Sequence, residues 1–186
     1  MQRSHTRYLP RTWHAGATPM RGFTAIELMV VVAIMAVLAA LAAPSFTPLM
    51  EGWRVRQATE ALQSTIYYAR SEAIKRGGNV TIDPDSSGWA NGWDVRHQAG
   101  TPSLQRYPSS NNTSIKLVNS DTSAAVTSIF IDRWGMLSDS PTNQPIRLEY
   151  LVTPTGKDEH AAAAAKLCIA RGGRVGQIKG NATCSI

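Results

Sequence analysis

The sequence is short of the residues that build reactive centres. Only two cysteines occur, Cys168 and Cys184, and of the four histidines only His97 and His160 lie beyond residue 23. There is no CxxC or HxxxH spacing, so a zinc centre lacks a ligand set and neither a metal nor a cofactor is expected. GxSxG, phosphate-loop and HExxH patterns are also absent. The acids are scattered, and Asp83-Pro84-Asp85-Ser86-Ser87-Gly88 lacks the spacing and closing Glu of a calcium loop, which leaves it a polar turn. An anchored periplasmic enzyme is therefore the weakest of the function classes, because no paired acid and base emerge. Charge is sparse as well, at 17% against 43% hydrophobic residues, which excludes a disordered chain. A length of 186 residues leaves room for one domain plus an anchoring segment.

The charge that is present is unevenly placed. Residues 1–22 hold Arg3, Arg7, Arg11 and Arg21 and no acid, and residues 166–186 hold Lys166, Arg171, Arg174 and Lys179 and no acid. Of the total of +6, these two segments carry +4 each, which leaves residues 23–165 at −2. The basic character belongs to a leader and to a C-terminal patch, not to the whole surface.

From Phe23 to Ala43 runs an apolar block of 21 residues with one charge, Glu27, a length that spans a bilayer as a helix. The upstream arginines place the N-terminus in the cytoplasm and the chain beyond Ala43 outside. Export puts the two cysteines in an oxidising compartment, where a Cys168–Cys184 disulfide is expected. A carboxylate within the apolar run costs roughly 2.5–3.5 kcal/mol on insertion scales, so Glu27 requires a partner unless it snorkels to the nearby interface.

At Arg21-Gly22-Phe23-Thr24-Ala25-Ile26-Glu27-Leu28 the sequence resembles the type IV prepilin signature. The resemblance implies that a prepilin peptidase cuts between Gly22 and Phe23 and methylates the new N-terminal Phe23. It also implies that Glu27 is needed for assembly, with the free amine of Phe23 on a neighbouring subunit as its counter-ion. Residues 1–22 then form a cytoplasmic leader and 23–43 a helix that serves both insertion in inner-membrane lipid and assembly.

Pro44 and Pro48 are expected to bend or interrupt the helix before it resumes. Val55, Ala58, Leu62, Ile66, Ala69 and Ala73 then recur at helical spacing, which predicts one apolar face over 44–77, with Arg56, Glu60, Gln63, Arg70 and Lys75 on the other face, which is expected to be wet or to contact neighbours. Lys75, Arg76 and Gly77-Gly78 mark its end. Residues 78–186 read as β-segments separated by turn residues, with strands at 79–83, 92–97, 114–118, 126–132, 146–152, 166–170 and 174–179. The stretch 99–125 reads as loop, and 161–165 as a brief helix or a linker. Trp89 and Trp93 flank Asn91-Gly92 and are expected to pack across a hairpin turning there. The fold class is α+β, a long N-terminal helix packed on an antiparallel sheet.

Tyr68-Ala69-Arg70-Ser71-Glu72-Ala73-Ile74-Lys75-Arg76-Gly77, Gly92-Trp93, Ile129-Phe130 with Gly135, and Gly173-Arg174-Val175 are similar to the FimT and GspH group of minor pilins and pseudopilins. That resemblance implies a filament subunit of a type IV pilus, priming its assembly or sitting at its tip, or of the type II secretion pseudopilus, with other such subunits as partners. Some FimT-like pilins bind DNA through a Gly-Arg-x-Arg element. Here Gly173-Arg174-Val175-Gly176 lacks the second Arg, so Arg171 or Lys179 would have to substitute. Lys166, Arg171, Arg174 and Lys179 are the candidate contacts to double-stranded DNA, set against a solvated basic hairpin that serves only solubility.

Overall fold

The computed structural model describes residues 22–98, 102–141 and 144–185, without the side chains at 43–45. Arg3, Arg7, Arg11 and Arg21, expected to orient the leader, lie outside the described residues. The chain divides into two compact units at the boundary between Ala43 and Pro44.

One helix, α1 (Ala25–Arg76), supplies most of the described residues of the first unit. Thr24 caps it: its Oγ1 accepts from the Glu27 amide at 3.2 Å, and its carbonyl accepts from the Leu28 amide. Glu27 thus stands at the third helical position of a Thr-x-x-Glu capping pattern. Apolar side chains of this stretch are exposed on every side, Ile26, Val31, Met35 and Leu41 among them. The helical hydrogen-bond assignment passes through Pro44 and Pro48 without the expected interruption.

In the second unit the predicted stripe is the core. Val55, Ala58, Leu62, Ile66, Ala69 and Ala73 are all buried. The helix ends at Gly77, whose φ of +80° suits glycine, while the Gly78 amide donates back to the Ala73 carbonyl at 2.7 Å.

Among the described residues nine strands follow: β1 (Val80–Asp85), β2 (Gly88–His97), β3 (Ser103–Pro108), β4 (Thr113–Asn119), β5 (Ile129–Ile131), β6 (Leu137–Ser138), β7 (Leu148–Pro154), β8 (Ala165–Ile169) and β9 (Val175–Lys179). They form two antiparallel sheets where one was expected, in the orders β3-β2-β1-β5-β6 and β4-β7-β8-β9. Residues 161–164, expected as a brief helix or a linker with Ala165, make turns that lead into β8.

Tryptophans join the layers. The Trp93 indole donates to Thr65 Oγ1 at 2.8 Å, and that hydroxyl donates to the Ala61 carbonyl, which ties β2 to α1. Trp93 stacks on Tyr107 of β3, and Trp89 meets the buried Tyr150 edge-on at 5.1 Å. Trp89 and Trp93 do pack together, but as neighbours on one strand and not across a hairpin. The β1–β2 turn falls at Ser86-Ser87, where Asp85 Oδ1 accepts from the Ser87 amide. Gly92 instead lies within β2 at φ +113°, so close to the Tyr107 carbonyl that a Cβ would stand 2.5 Å from it.

Candidate functional site

Gly22 and Phe23 precede the cap of α1 in exposed, non-helical backbone. Glu27 is exposed one turn inside, and its carboxylate forms no ion pair among the described residues.

The C-terminal cations do not form one patch. Lys166 lies in β8 with only 12% of its side chain exposed, held by Glu149 at 3.0 Å and Glu159 at 3.5 Å. Arg171 bonds to Asp121 Oδ2 at 3.0 Å, while Arg147 binds Oδ1 of the same carboxylate. The hydrogen bond from Arg147, and then that from Arg171, hold the Asp121 carboxyl below the usual range, and Asp121 in turn raises Arg147. Arg174 and Lys179 are exposed and form no ion pair among the described residues. They sit at opposite ends of β9, roughly 16 Å apart at strand rise. The segment contains no acid, yet Glu149, Glu159 and Asp121 reach it from elsewhere in the chain.

The expected disulfide joins Cys168 in β8 to Cys184, with Cα atoms 5.7 Å apart. It anchors the chain that follows β9 to a buried strand.

Arg70, expected on the wet face, is instead half-buried. Its Nε donates to the Gly135 carbonyl at 2.8 Å and one terminal nitrogen to the Gly173 carbonyl at 2.8 Å, with Gly172 more distant at 3.4 Å. One guanidinium therefore holds the β5–β6 and β8–β9 turns together. A Cβ on Gly173 would stand 2.3 Å from Arg70 Cζ, so the guanidinium occupies the space that any other residue would need. In the β5–β6 turn, Asp132 Oδ1 accepts from the Trp134 and Met136 amides at 2.8 and 2.9 Å. This turn presents Arg133 and Trp134, the latter 75% exposed. Neither was singled out from the sequence, where Asp132 ends an expected strand and Gly135 enters only through the family resemblance.

A family model for the type II transport protein GspH matches residues 58–173, well over half of the chain, and one for the prokaryotic N-terminal methylation motif matches 19–43. The chain belongs to the GspH family of minor pilins and pseudopilins. Among curated relatives, the type II secretion system protein H of Xanthomonas campestris is 33% identical over 72 residues, 38% of this chain and 43% of that protein. Fimbrial protein EcpB of Eikenella corrodens is 38% identical over 68 residues, 37% of this chain and 42% of that protein. The matches thus span about two fifths of these relatives. Two crystal structures of the type IV minor pilin FimU from Pseudomonas aeruginosa share the fold. Their TM-scores are 0.52 and 0.55 at 19% identity, over 70% of this chain and 97% and 92% of theirs. The GspH match contains Arg70, Gly135 and Gly173, so the clamp lies within the family region, whereas Arg174, Lys179 and Cys184 lie beyond it. The methylation motif contains Gly22, Phe23 and Glu27.

Proposed function

We propose that this chain is a structural subunit, processed by prepilin peptidase after Gly22, methylated on Phe23, and incorporated with other pilin or pseudopilin subunits into an envelope filament. The observation that carries the reading is the stretch from Ala25 to Ala42, which is long and apolar enough to cross a membrane and has no side chain buried. A helix apolar all round is stable only in lipid or packed against other helices. The filament supplies the second environment after the membrane has supplied the first. In a filament core the Glu27 carboxylate must be neutralised, and the Phe23 amine of a neighbouring subunit, one residue before the helix cap, is the natural counter-ion. No step calls for enzymatic chemistry in the chain itself.

Between the two filament systems we favour the type IV pilus, with the type II secretion pseudopilus as the alternative. The β8–β9 turn tips the choice, since exposed Arg174 beside Arg171 suits a phosphate polyanion such as double-stranded DNA. The test is a salt titration of duplex binding by the full chain in uncharged detergent. Arg174→Gln should flatten the dependence of log affinity on log salt by about one unit. Lys166→Gln should leave it unchanged, because its partners already neutralise Lys166. Absence of duplex binding at low salt would remove the DNA role and leave the assembly role standing.

A further inference from the structure

The β5–β6 turn lies outside the methylation motif and outside the β8–β9 turn to which DNA binding is assigned. Trp134 and Arg174 are each the chain neighbour of a glycine whose carbonyl binds the same Arg70 guanidinium. The clamp therefore sets an exposed indole and Arg133 beside Arg171 and Arg174, on two turns that cannot drift apart without breaking its bonds. Two nearby acids are paired with cations, Asp121 with Arg147 and Arg171 and Glu72 with Arg76 and Lys75, while Asp132 Oδ1 caps the turn's own amides and keeps its charge. The two turns present Arg133 and Arg174 with one large aromatic face, Trp134, against the Asp132 carboxylate. Ile74, 58% exposed, borders the turn, its Cδ1 being 3.3 Å from where a Gly135 Cβ would stand.

We propose that this face binds a single-stranded segment of nucleic acid, with one base stacked on Trp134 and the flanking phosphates on Arg133 and Arg174. The inference rests on reading the β8–β9 turn as a polyanion site, and it adds a strand preference that the turn alone would not have. Arginines contact the phosphates of either form, but only a strand whose bases are unpaired offers a free π-face to an indole. A duplex keeps its bases stacked internally and gains only the phosphate contacts.

The experiment compares an oligothymidylate with a duplex of equal length, both titrated into the full chain in uncharged detergent at one low salt concentration. Trp134→Ala should weaken oligothymidylate binding by about tenfold and leave duplex binding within about twofold. Trp134→Phe should retain most of the affinity while abolishing the tryptophan-fluorescence quenching that the oligothymidylate causes in the wild type. Arg133→Gln should weaken both ligands and flatten both salt dependences. Because Trp134 is 75% exposed, these variants leave the core intact, and an unchanged melting transition checks it. Duplex binding that is sensitive to Arg174→Gln, combined with oligothymidylate binding indifferent to Trp134→Ala, overturns the inference while the polyanion reading survives. Binding of neither ligand overturns both and reassigns the exposed indole to a protein contact.

Discussion

Leu38 and Leu62 lie on the same helix, yet Leu38 is 60% exposed and Leu62 is 1% exposed. Both have helical backbone, so helix formation does not explain the difference. Around Leu62 the apolar residues keep to one stripe, and β-strands of the same chain cover it. Around Leu38 they occupy every face, and no single sheet could cover them. The second half of α1 is solved within one chain, and the first half is a request for a solvent other than water. Glu27 sharpens that contrast: where the globular unit pairs Lys166 and Arg171 with acids of the same chain, the charge in the exposed stretch has no ion pair among the described residues.

The largest effects should come from breaking the processing and assembly of the exposed half. Gly22→Ala should leave the 22-residue leader attached, an all-or-none outcome read by intact mass of protein from membranes. A mature N-terminus other than Phe23 rejects the assignment. Glu27→Val should insert as well as the wild type or better, since the lipid penalty is gone, yet fail to enter filaments. Normal filament incorporation of this variant would refute the pairing with a neighbour's amine.

A matched pair of substitutions tests the comparison itself. Leu62→Ala should destabilise the globular unit by ~3 kcal/mol, as a fully buried leucine leaves a cavity. Leu38→Ala should leave that unit's denaturation midpoint unmoved and lower only the fraction of chain recovered in membranes. Equal losses from both would mean that the exposed half is supported by the globular unit after all.

The disulfide should matter at a similar scale but more locally. Closing a loop with a sequence separation of 16 contributes about 3 kcal/mol in the chain-entropy model. Cys168 lies in buried β8, with β7 and β9 on either side, so reduction should speed amide exchange after Lys179 and leave β8 protected. Early exchange in β8 on reduction would show that the bridge holds the sheet and not the tail.

Much of this was legible in the residues, and the failures share a cause. The apolar block, the stripe from Val55 to Ala73 and the Gly77-Gly78 stop are local patterns, and the helix follows them. Strand β3 escaped notice because Ser103–Pro108 is a polar edge strand whose pairing with β2 places Tyr107 opposite Trp93, a contact no local pattern announces. Asn91-Gly92 misled because its turn propensity was outweighed by a close approach to the Tyr107 carbonyl that only glycine permits. Two sheets replace one because β4 pairs with β7 across an intervening hairpin, again a distant pairing. The basic patch failed as a unit for the same reason. An acid-free segment in sequence says nothing about Glu149, Glu159 and Asp121, which arrive through the fold. Arg70 is the converse case: a helix-face arginine read as wet became the joint between two turns, since its carbonyl acceptors lie in glycine-rich turns far along the chain.

The smallest predicted effect bears most directly on the fold-supplied acids, because it should raise an affinity by removing a charge. Asp121 shares its two oxygens between Arg147 and Arg171, so Arg171 reaches a phosphate only by giving up a carboxylate. Asp121→Asn should therefore strengthen duplex binding a few-fold at low salt and steepen the salt dependence by up to one unit, as one more cation becomes available to displace counter-ions. The same pairing has a signature in stability. A carboxyl held below its unfolded value of about 3.9 stabilises the fold above that pH and loses the contribution as pH falls through its lower folded value. The wild type should thus shed this stability only under acid conditions, and Asp121→Asn should lack that part of the acid limb. Duplex affinity unchanged in the variant would mean that Arg171 never faces the ligand, which confines the phosphate contact of the β8–β9 turn to Arg174.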